Sequence, residues 1–177
     1  ILDDLLLKIF KQNEKVIVWS NFTNNINYLY NKYKSFFPVR IHGKLSMDER
    51  NRAVELFLNN NECKVLFATP GAAKEGLTLT VANHAIFYDR GFSLDDYLQS
   101  QDRIHRISQK KDCFIYNLIM DDSIDKWIDE LLNTKKYAAL LAQGDIDINE
   151  YRSNVNYSFG EILNEVLNGW SNKGKFF

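Results

Sequence analysis

Five short apolar runs alternate with amphipathic segments along this chain, and that alternation restricts its fold more than any other feature. The runs occupy residues 16–19, 39–41, 65–68, 85–88 and 113–119. Each run is almost continuously apolar, as is typical of strands covered on both faces of a sheet. The segments between the runs place apolar residues at helical spacing, for example Leu2, Leu6 and Ile9. The pattern therefore predicts an α/β domain whose parallel sheet is flanked by helices.

The pattern changes after Ile119, where strand-like runs stop and helical ones continue. A long helical pattern covers residues 121–141, Gly144 interrupts it, residues 146–152 are ambiguous, and residues 158–167 predict a last amphipathic helix. A length of 177 residues suits one domain with an appendage. We therefore predict an α/β domain over residues 1–120 and an α-helical C-terminal extension over residues 121–177.

The composition narrows the classes of function. The net charge is −1, so contact with nucleic acid would need a local basic patch. Cys63 and Cys113 lie beside apolar runs without a C-x-x-C spacing, which predicts core thiols in a reducing compartment and no metal site. No run reaches the roughly 20 apolar residues of a membrane span, and no signal peptide is visible. We expect a cytoplasmic protein without a membrane partner.

Polar residues follow the predicted strands, at the edge where open α/β sheets bind ligands. They are Ser20-Asn21, His42-Gly43-Lys44, the loop from Thr69 to Gly76, and Asp89-Arg90. Small residues in the third of these loops let the backbone approach a phosphate or a sugar. The loop is not a G-x-x-x-x-G-K-[ST] sequence, and no such sequence occurs in the chain. An ordinary turn between a strand and a loop explains it about equally well.

Residues 99–109, Gln-Ser-Gln-Asp-Arg-Ile-His-Arg-Ile-Ser-Gln, contain a dense group of charges. On a helix, Gln99, Arg103 and Arg106 would share one face, and two adjacent guanidinium groups suit an anion such as a triphosphate. The alternative is a solvated helix with an Asp102–Arg106 ion pair. Because the chain has these arginines but no phosphate cradle, we predict half of a composite active site, whose arginine fingers reach a nucleotide held by another element.

The same segment resembles motif VI of the Swi/Snf family of helicase-like ATPases in helicase superfamily two, Q-x-x-D-R-x-H-R-x-G-Q, from which only Ser108 departs. Other segments resemble further motifs of this family in order. Residues 15–21 resemble motif IV, and Ile41-His42-Gly43 together with Arg50 resemble the block that follows it. Residues 68–80 resemble motif V, and residues 116–128 resemble the stretch after motif VI. In motif V, Pro70, Ala73-Lys74 and Thr78 replace the usual Thr, Gly-Gly and Asn.

The resemblance implies the second, C-terminal RecA-like lobe of a two-lobed motor, with ATP and its Mg²⁺ bound by an absent first lobe. Arg103 and Arg106 would reach the phosphates of ATP, Gln99 would support their helix, and Gly76 would lie near the sugar or the lobe interface. Double-stranded DNA would cross both lobes, and the C-terminal helices would brace them. The residues implied in DNA contact are Ser20, Asn21, His42, Gly43, Lys44 and Thr69.

We therefore expect the C-terminal lobe of an ATP-dependent DNA translocase or helicase, an ATP hydrolase as a whole although this chain alone is inactive. One alternative is a non-catalytic interaction module with a RecA-like shape. Another is a free-standing nucleotide-binding α/β protein of a different enzyme class. His42 has two interpretations, a contact on the DNA side or a hydrogen bond that fills a turn.

Overall fold

A five-stranded parallel sheet forms the centre of the fold, with the strand order β2-β3-β1-β4-β5. The computed structural model describes residues 1–73, 77–121 and 123–155, together with residues 160, 161 and 164. The strands are β1 (Val16–Trp19), β2 (Val39–Ile41), β3 (Val65–Ala68), β4 (His84–Phe87) and β5 (Phe114–Asn117). Every residue of β1, β3 and β4 is buried, which is why these strands do not alternate in polarity. The predicted α/β fold is confirmed.

Six α-helices accompany the sheet in the described part of the chain. They are α1 (Leu2–Lys11), α2 (Thr23–Lys32), α3 (Met47–Asn59), α4 (Leu94–Gln101), α5 (Ile124–Gln143) and α6 (Ile148–Asn154). Short 3-10 turns occur at Lys34–Phe36 and Pro70–Ala73. The alternation of strands and helices from β1 to β5 is the one predicted from hydrophobic periodicity.

The two faces of the sheet carry separate apolar clusters because successive residues of a strand point to opposite sides. Val16 and Val18 of β1 belong to the cluster that α1 and α2 cover with Leu6, Ile9, Ile26 and Leu29. Ile17 and Trp19 belong to the other cluster, which α3 covers with Ala53 and Phe57. Cys63 is buried in this second cluster and Cys113 packs against it, and both thiols are free. The prediction of a core thiol is therefore confirmed for Cys63, whereas Cys113 is half-buried at the margin of the core.

Local capping residues set several helix ends. A capping box begins α3, because Ser46 Oγ accepts from Glu49 N (3.3 Å) and Glu49 Oε2 accepts from Ser46 N (2.8 Å). Gly144, with φ of 80°, ends α5 in the left-handed region, as its position predicted. The ambiguous stretch after it forms α6, whose N-cap side chain is Asp147. The helix predicted over residues 158–167 lies largely outside the described residues.

The chain divides into two compact units. The first contains residues 1–90 and 95–118, and therefore the whole sheet. The second contains residues 91–94 and 119–177, in which Asn133 Nδ2 of α5 donates to the Asn154 carbonyl of α6 (2.9 Å). The domain boundary predicted at residue 120 stays a prediction.

A buried lysine connects the start of β1 to the end of α3. The side chain of Lys15 is only 8% exposed, and its ammonium donates to the carbonyls of Phe57 (2.5 Å) and Asn60 (2.9 Å). Burial lowers the pKa of Lys15. The last carbonyls of a helix have no partner within the helix, so this side chain supplies a donor to the Phe57 carbonyl and a second donor to the Asn60 carbonyl, which also accepts from the Cys63 amide (3.2 Å).

Replacing this ammonium should destabilise the fold. Lys15→Met keeps an unbranched side chain but removes the ammonium that donates to the Phe57 carbonyl and one of the two donors to the Asn60 carbonyl, so we expect a loss of about 1–3 kcal/mol in the free energy of unfolding. Urea denaturation followed by circular dichroism measures this loss. Lys136→Met, on the exposed surface of α5, is the control and should change stability by less than about 0.5 kcal/mol. Equal stability of the two variants would contradict the assigned role.

Candidate functional site

Helix α4 ends before the two arginines of the 99–109 segment. The prediction of one helix through Arg106 is wrong, because α4 stops at Gln101 and residues 102–108 form turns. The Ile104 amide donates to the Gln101 carbonyl three residues earlier (3.1 Å), which is a tighter turn than that of an α-helix. The Leu79 amide donates to the Arg103 carbonyl (3.0 Å). That carbonyl is therefore not used by the next helical turn. As a result, Gln99, Arg103 and Arg106 do not share a helical face.

Gln109 fixes the end of this segment, a role that the sequence analysis missed. Its side-chain amide group donates to three main-chain carbonyls, those of Ile104 (3.1 Å), Thr80 (3.2 Å) and Ala82 (2.9 Å). Its side-chain oxygen accepts from the amides of Lys110 and Lys111. Gln109 thus ties residues 102–109 to residues 77–82, which lead into β4. The only signal in the sequence was its place as the last residue of the motif VI pattern.

The two arginines lie at different depths. Arg103 is 7% exposed, and its Nη1 is 3.4 Å from the Leu77 carbonyl. Burial lowers the pKa of Arg103, the nearby Arg106 lowers it further, and Asp102 opposes both effects. Arg106 is half-buried and donates to the Asp102 carbonyl (3.0 Å) and to Thr78 Oγ1 (2.6 Å). Residue 102 therefore orients Arg106 through its main chain.

An open depression lies beside Arg106. Its walls come from Thr78, Asp102, His105, Arg106, Ile107 and Ser108. The Ile107 side chain is fully exposed there, and His105 is exposed as well. A guanidinium group with hydroxyl groups and an exposed apolar side chain around it can bind an anion that carries an apolar portion. Gln99 is exposed on α4, and Gly76 lies outside the described residues.

The other predicted site residues follow β1, β2 and β3, whose carboxyl ends are in register. Trp19 pairs with Ala68, and Ile41 pairs with the same residue from the other side. The segments that follow these strands, beginning at Ser20, His42 and Thr69, therefore lie along one edge of the sheet. The arginines instead lie beside the segment that leads into the amino end of β4.

Ser20 lies beneath this edge while Asn21 is exposed on it. Ser20 is fully buried, its amide donates to the Ala68 carbonyl (3.1 Å), and its hydroxyl donates to the Asp89 carboxylate. The Asn21 amide donates to Asp89 Oδ1 (2.7 Å), while its side chain is exposed. Asp89 follows β4, and the sequence analysis placed it at this edge without giving it a role.

His42 is buried as well, while Gly43 and Lys44 are exposed. His42 Nε2 lies 3.1 Å from Asn27 Oδ1, which also accepts from Arg40 Nη1 (2.6 Å). His42 is 4% exposed, and burial lowers its pKa, with further lowering by Arg40 and Lys44. Burial and the neighbouring cations thus favour the neutral ring, and its Nε2 is already used within the protein.

Two classes of site are absent from the described part of the chain. Residues 1–73, 77–121 and 123–155 contain no group of three or more His, Cys, Asp or Glu side chains that could hold a metal ion. Among the same residues, no helix combines the length and the apolar character that crossing a membrane requires.

Known proteins share the sequence pattern of the first unit. Residues 1–108 match the family model of the helicase conserved C-terminal domain. The chain is 33% identical over 128 residues to the ATP-dependent DNA helicase DDM1 of Arabidopsis thaliana, a match covering 71% of this chain and 17% of that protein. It is 32% identical over 138 residues to the lymphoid-specific helicase of Homo sapiens, covering 77% of this chain and 16% of that protein. The chain thus spans about one sixth of the length of these relatives.

Solved structures share its fold. The C-terminal part of the Fun30 ATPase domain has a TM-score of 0.69 at 29% identity, covering 74% of this chain and 43% of that one. The Sulfolobus solfataricus SWI2/SNF2 ATPase core, solved in complex with dsDNA, has a TM-score of 0.64 at 24% identity, covering 89% of this chain and 35% of that one. The chain therefore belongs to the helicase conserved C-terminal domain family, among the Swi/Snf-type helicase-like ATPases, and has the RecA-like fold of their C-terminal lobe.

Proposed function

We propose that this chain is the second motor lobe of an ATP-dependent DNA translocase or helicase, and that Arg103 and Arg106 act on ATP held by a first lobe. One observation carries the proposal. Arg106 donates to two neutral oxygens, Thr78 Oγ1 and the Asp102 carbonyl, beside an open depression. These contacts orient the guanidinium group without neutralising its charge, so it can still bind a phosphate.

The chemistry of phosphoryl transfer explains why arginines would be useful there. Negative charge spreads over the oxygens of the transferred phosphoryl group, and an arginine finger stabilises that charge. The phosphate cradle and the carboxylate that holds Mg²⁺ would come from the first lobe. In this arrangement Arg103 and Arg106 are the catalytic residues, Gln99 supports them, and Gly76 would contribute the contacts near the sugar or the lobe interface that the family resemblance implies.

The edge formed by the carboxyl ends of β1, β2 and β3 is the proposed track for double-stranded DNA. Asn21, Gly43 and Lys44 are exposed there and Thr69 is half-buried, so these residues would contact the phosphate backbone. Ser20 and His42 are buried, so they would support the contacting loops from beneath. Contacts to phosphates make binding salt-dependent and tolerant of sequence. A location on DNA, in a nucleoid or a nucleus, follows from this role.

The proposal also assigns a role to each of the two predicted domains. Residues 1–120 would be the RecA-like lobe, and residues 121–177 would be a helical brace built on α5 and α6. ATP hydrolysis would drive closure of the two lobes and movement along one DNA strand.

The chain alone should lack ATPase activity. Without a first lobe there is no phosphate cradle, so we expect no turnover above background, with or without duplex DNA, in a coupled ATPase assay. The Arg106→Ala variant of the same chain serves as the control. Saturable hydrolysis by the unchanged chain that disappears in this variant would mean that the chain contains a complete site, which contradicts the proposal.

Loss of the finger should abolish stimulated turnover in the full-length protein that carries this chain. Arg106→Ala should lower the DNA-stimulated kcat by about 10³-fold or more, whereas the Kd for duplex DNA stays within about twofold. Arg106→Lys should recover little, because an ammonium cannot form the forked contacts of a guanidinium group. The matched control is Arg52→Ala, at an exposed position of α3, which should keep wild-type turnover. Normal turnover in Arg106→Ala would reject the assignment.

A further inference from the structure

Asp89 contacts three donors that follow β1: Ser20 and Asn21 in the turn before α2, and Asn25 in the first turn of α2. Its Oδ2 accepts from Ser20 Oγ and from Asn25 Nδ2 (3.0 Å), and its Oδ1 accepts from the Asn21 amide (2.7 Å). These residues are 64 to 69 positions away from Asp89 in the sequence. A single carboxylate after β4 therefore holds the whole turn that follows β1.

We propose that Asp89 is a positioning residue for DNA: it fixes the turn after β1 so that Asn21 faces the phosphate backbone. This inference rests on the proposed DNA track and adds to it the group that holds the track in shape. Asp89 does not itself contact the nucleic acid in this account.

The surroundings of the turn explain why the carboxylate is needed. β1 pairs with β4 up to Trp19 and Phe87, and the Tyr88 amide donates to the Trp19 carbonyl (2.9 Å). The segments that follow these two strands therefore leave the sheet side by side. On the other side, the Ser20 amide is held by the Ala68 carbonyl (3.1 Å). The Asn21 main chain, one residue further, is held by Asp89. Without the carboxylate, the turn would lose this anchor at the point where it leaves the sheet.

Because Asp89 is acidic, a positioning role and a bystander role predict opposite changes in DNA affinity when its side chain is removed. All three donors are neutral, so none of these contacts places a positive charge beside the carboxylate, which lies near an edge that is proposed to bind phosphates. If Asp89 were a bystander, its removal would relieve repulsion and strengthen DNA binding. If it positions the turn, its removal weakens binding, because the contacting groups lose their fixed geometry.

The test uses the full-length protein and a fluorescently labelled DNA duplex. Asp89→Ala should raise the Kd measured by anisotropy about five- to tenfold, as expected for lost charge-assisted hydrogen bonds. Asp89→Asn should have a smaller effect, because its side-chain oxygen can still accept from the Asn21 amide. The DNA concentration for half-maximal ATPase stimulation should rise in parallel, while kcat at saturating DNA changes less than twofold. A merely structural defect would lower kcat as well.

Two further variants keep the test decisive. Ser20→Ala removes a donor from the same carboxylate and should weaken DNA binding in the same direction, even if Asp89→Ala folds poorly. Asp95→Asn neutralises an exposed carboxylate in the first turn of α4, and it should not weaken binding.

Each contrary result has its own meaning. Unchanged or tighter DNA binding by the Asp89 variants and by Ser20→Ala would overturn the positioning role. This result leaves the DNA track intact if the double variant Asn21→Ala/Lys44→Ala still weakens binding. If that double variant binds DNA normally, the proposed track is wrong, and the role of Asp89 is overturned with it.

Discussion

The pairing of β1 with strands on both sides is the constraint on which the rest of the structure depends. β1 is entirely buried and is hydrogen-bonded to β3 and to β4 in a parallel register. This register brings the ends of neighbouring strands to one edge, so Ser20, Thr69 and Asp89 become neighbours although they are distant in sequence. The side chains of β1 also divide between the two apolar clusters, which fixes helices on both faces of the sheet. The same central strand therefore determines both the core and the position of the proposed DNA track.

The segment with the arginines depends on a different kind of interaction. The Gln109 side chain and the Leu79 amide hold residues 102–109 through hydrogen bonds to main-chain carbonyls. These contacts, and not helical hydrogen bonds, determine the positions of Arg103 and Arg106. One departure from the family pattern in motif V takes part in this arrangement. Thr78 replaces the usual Asn, and its hydroxyl accepts a hydrogen bond from Arg106. The replacing residue thus supplies a polar partner for the proposed catalytic arginine.

The fold could be predicted from the sequence because its signals are local. Apolar runs predicted the five strands, and Gly144 predicted the end of α5. The end of α4 could not be predicted, because it results from hydrogen bonds between residues more than 20 positions apart, as in Gln109 with Thr80 and Ala82. The burial of Ser20 and His42 could not be predicted from the sequence either, since it depends on which strands are neighbours in the sheet. Residue type and spacing suggested the proposed site, but they did not show which side chains are exposed.

The central claim is that this chain provides Arg106 to a nucleotide bound by another lobe. The most direct measurement is a structure of the full-length protein with duplex DNA, ADP and aluminium fluoride as a mimic of the transferred phosphoryl group. The account predicts that Arg106 leaves Thr78 and lies about 3 Å from the fluoride, a hydrogen-bonding distance, with the nucleotide otherwise held by the first lobe. A fully closed complex in which Arg106 still contacts Thr78, and neither arginine reaches the phosphates, would contradict it.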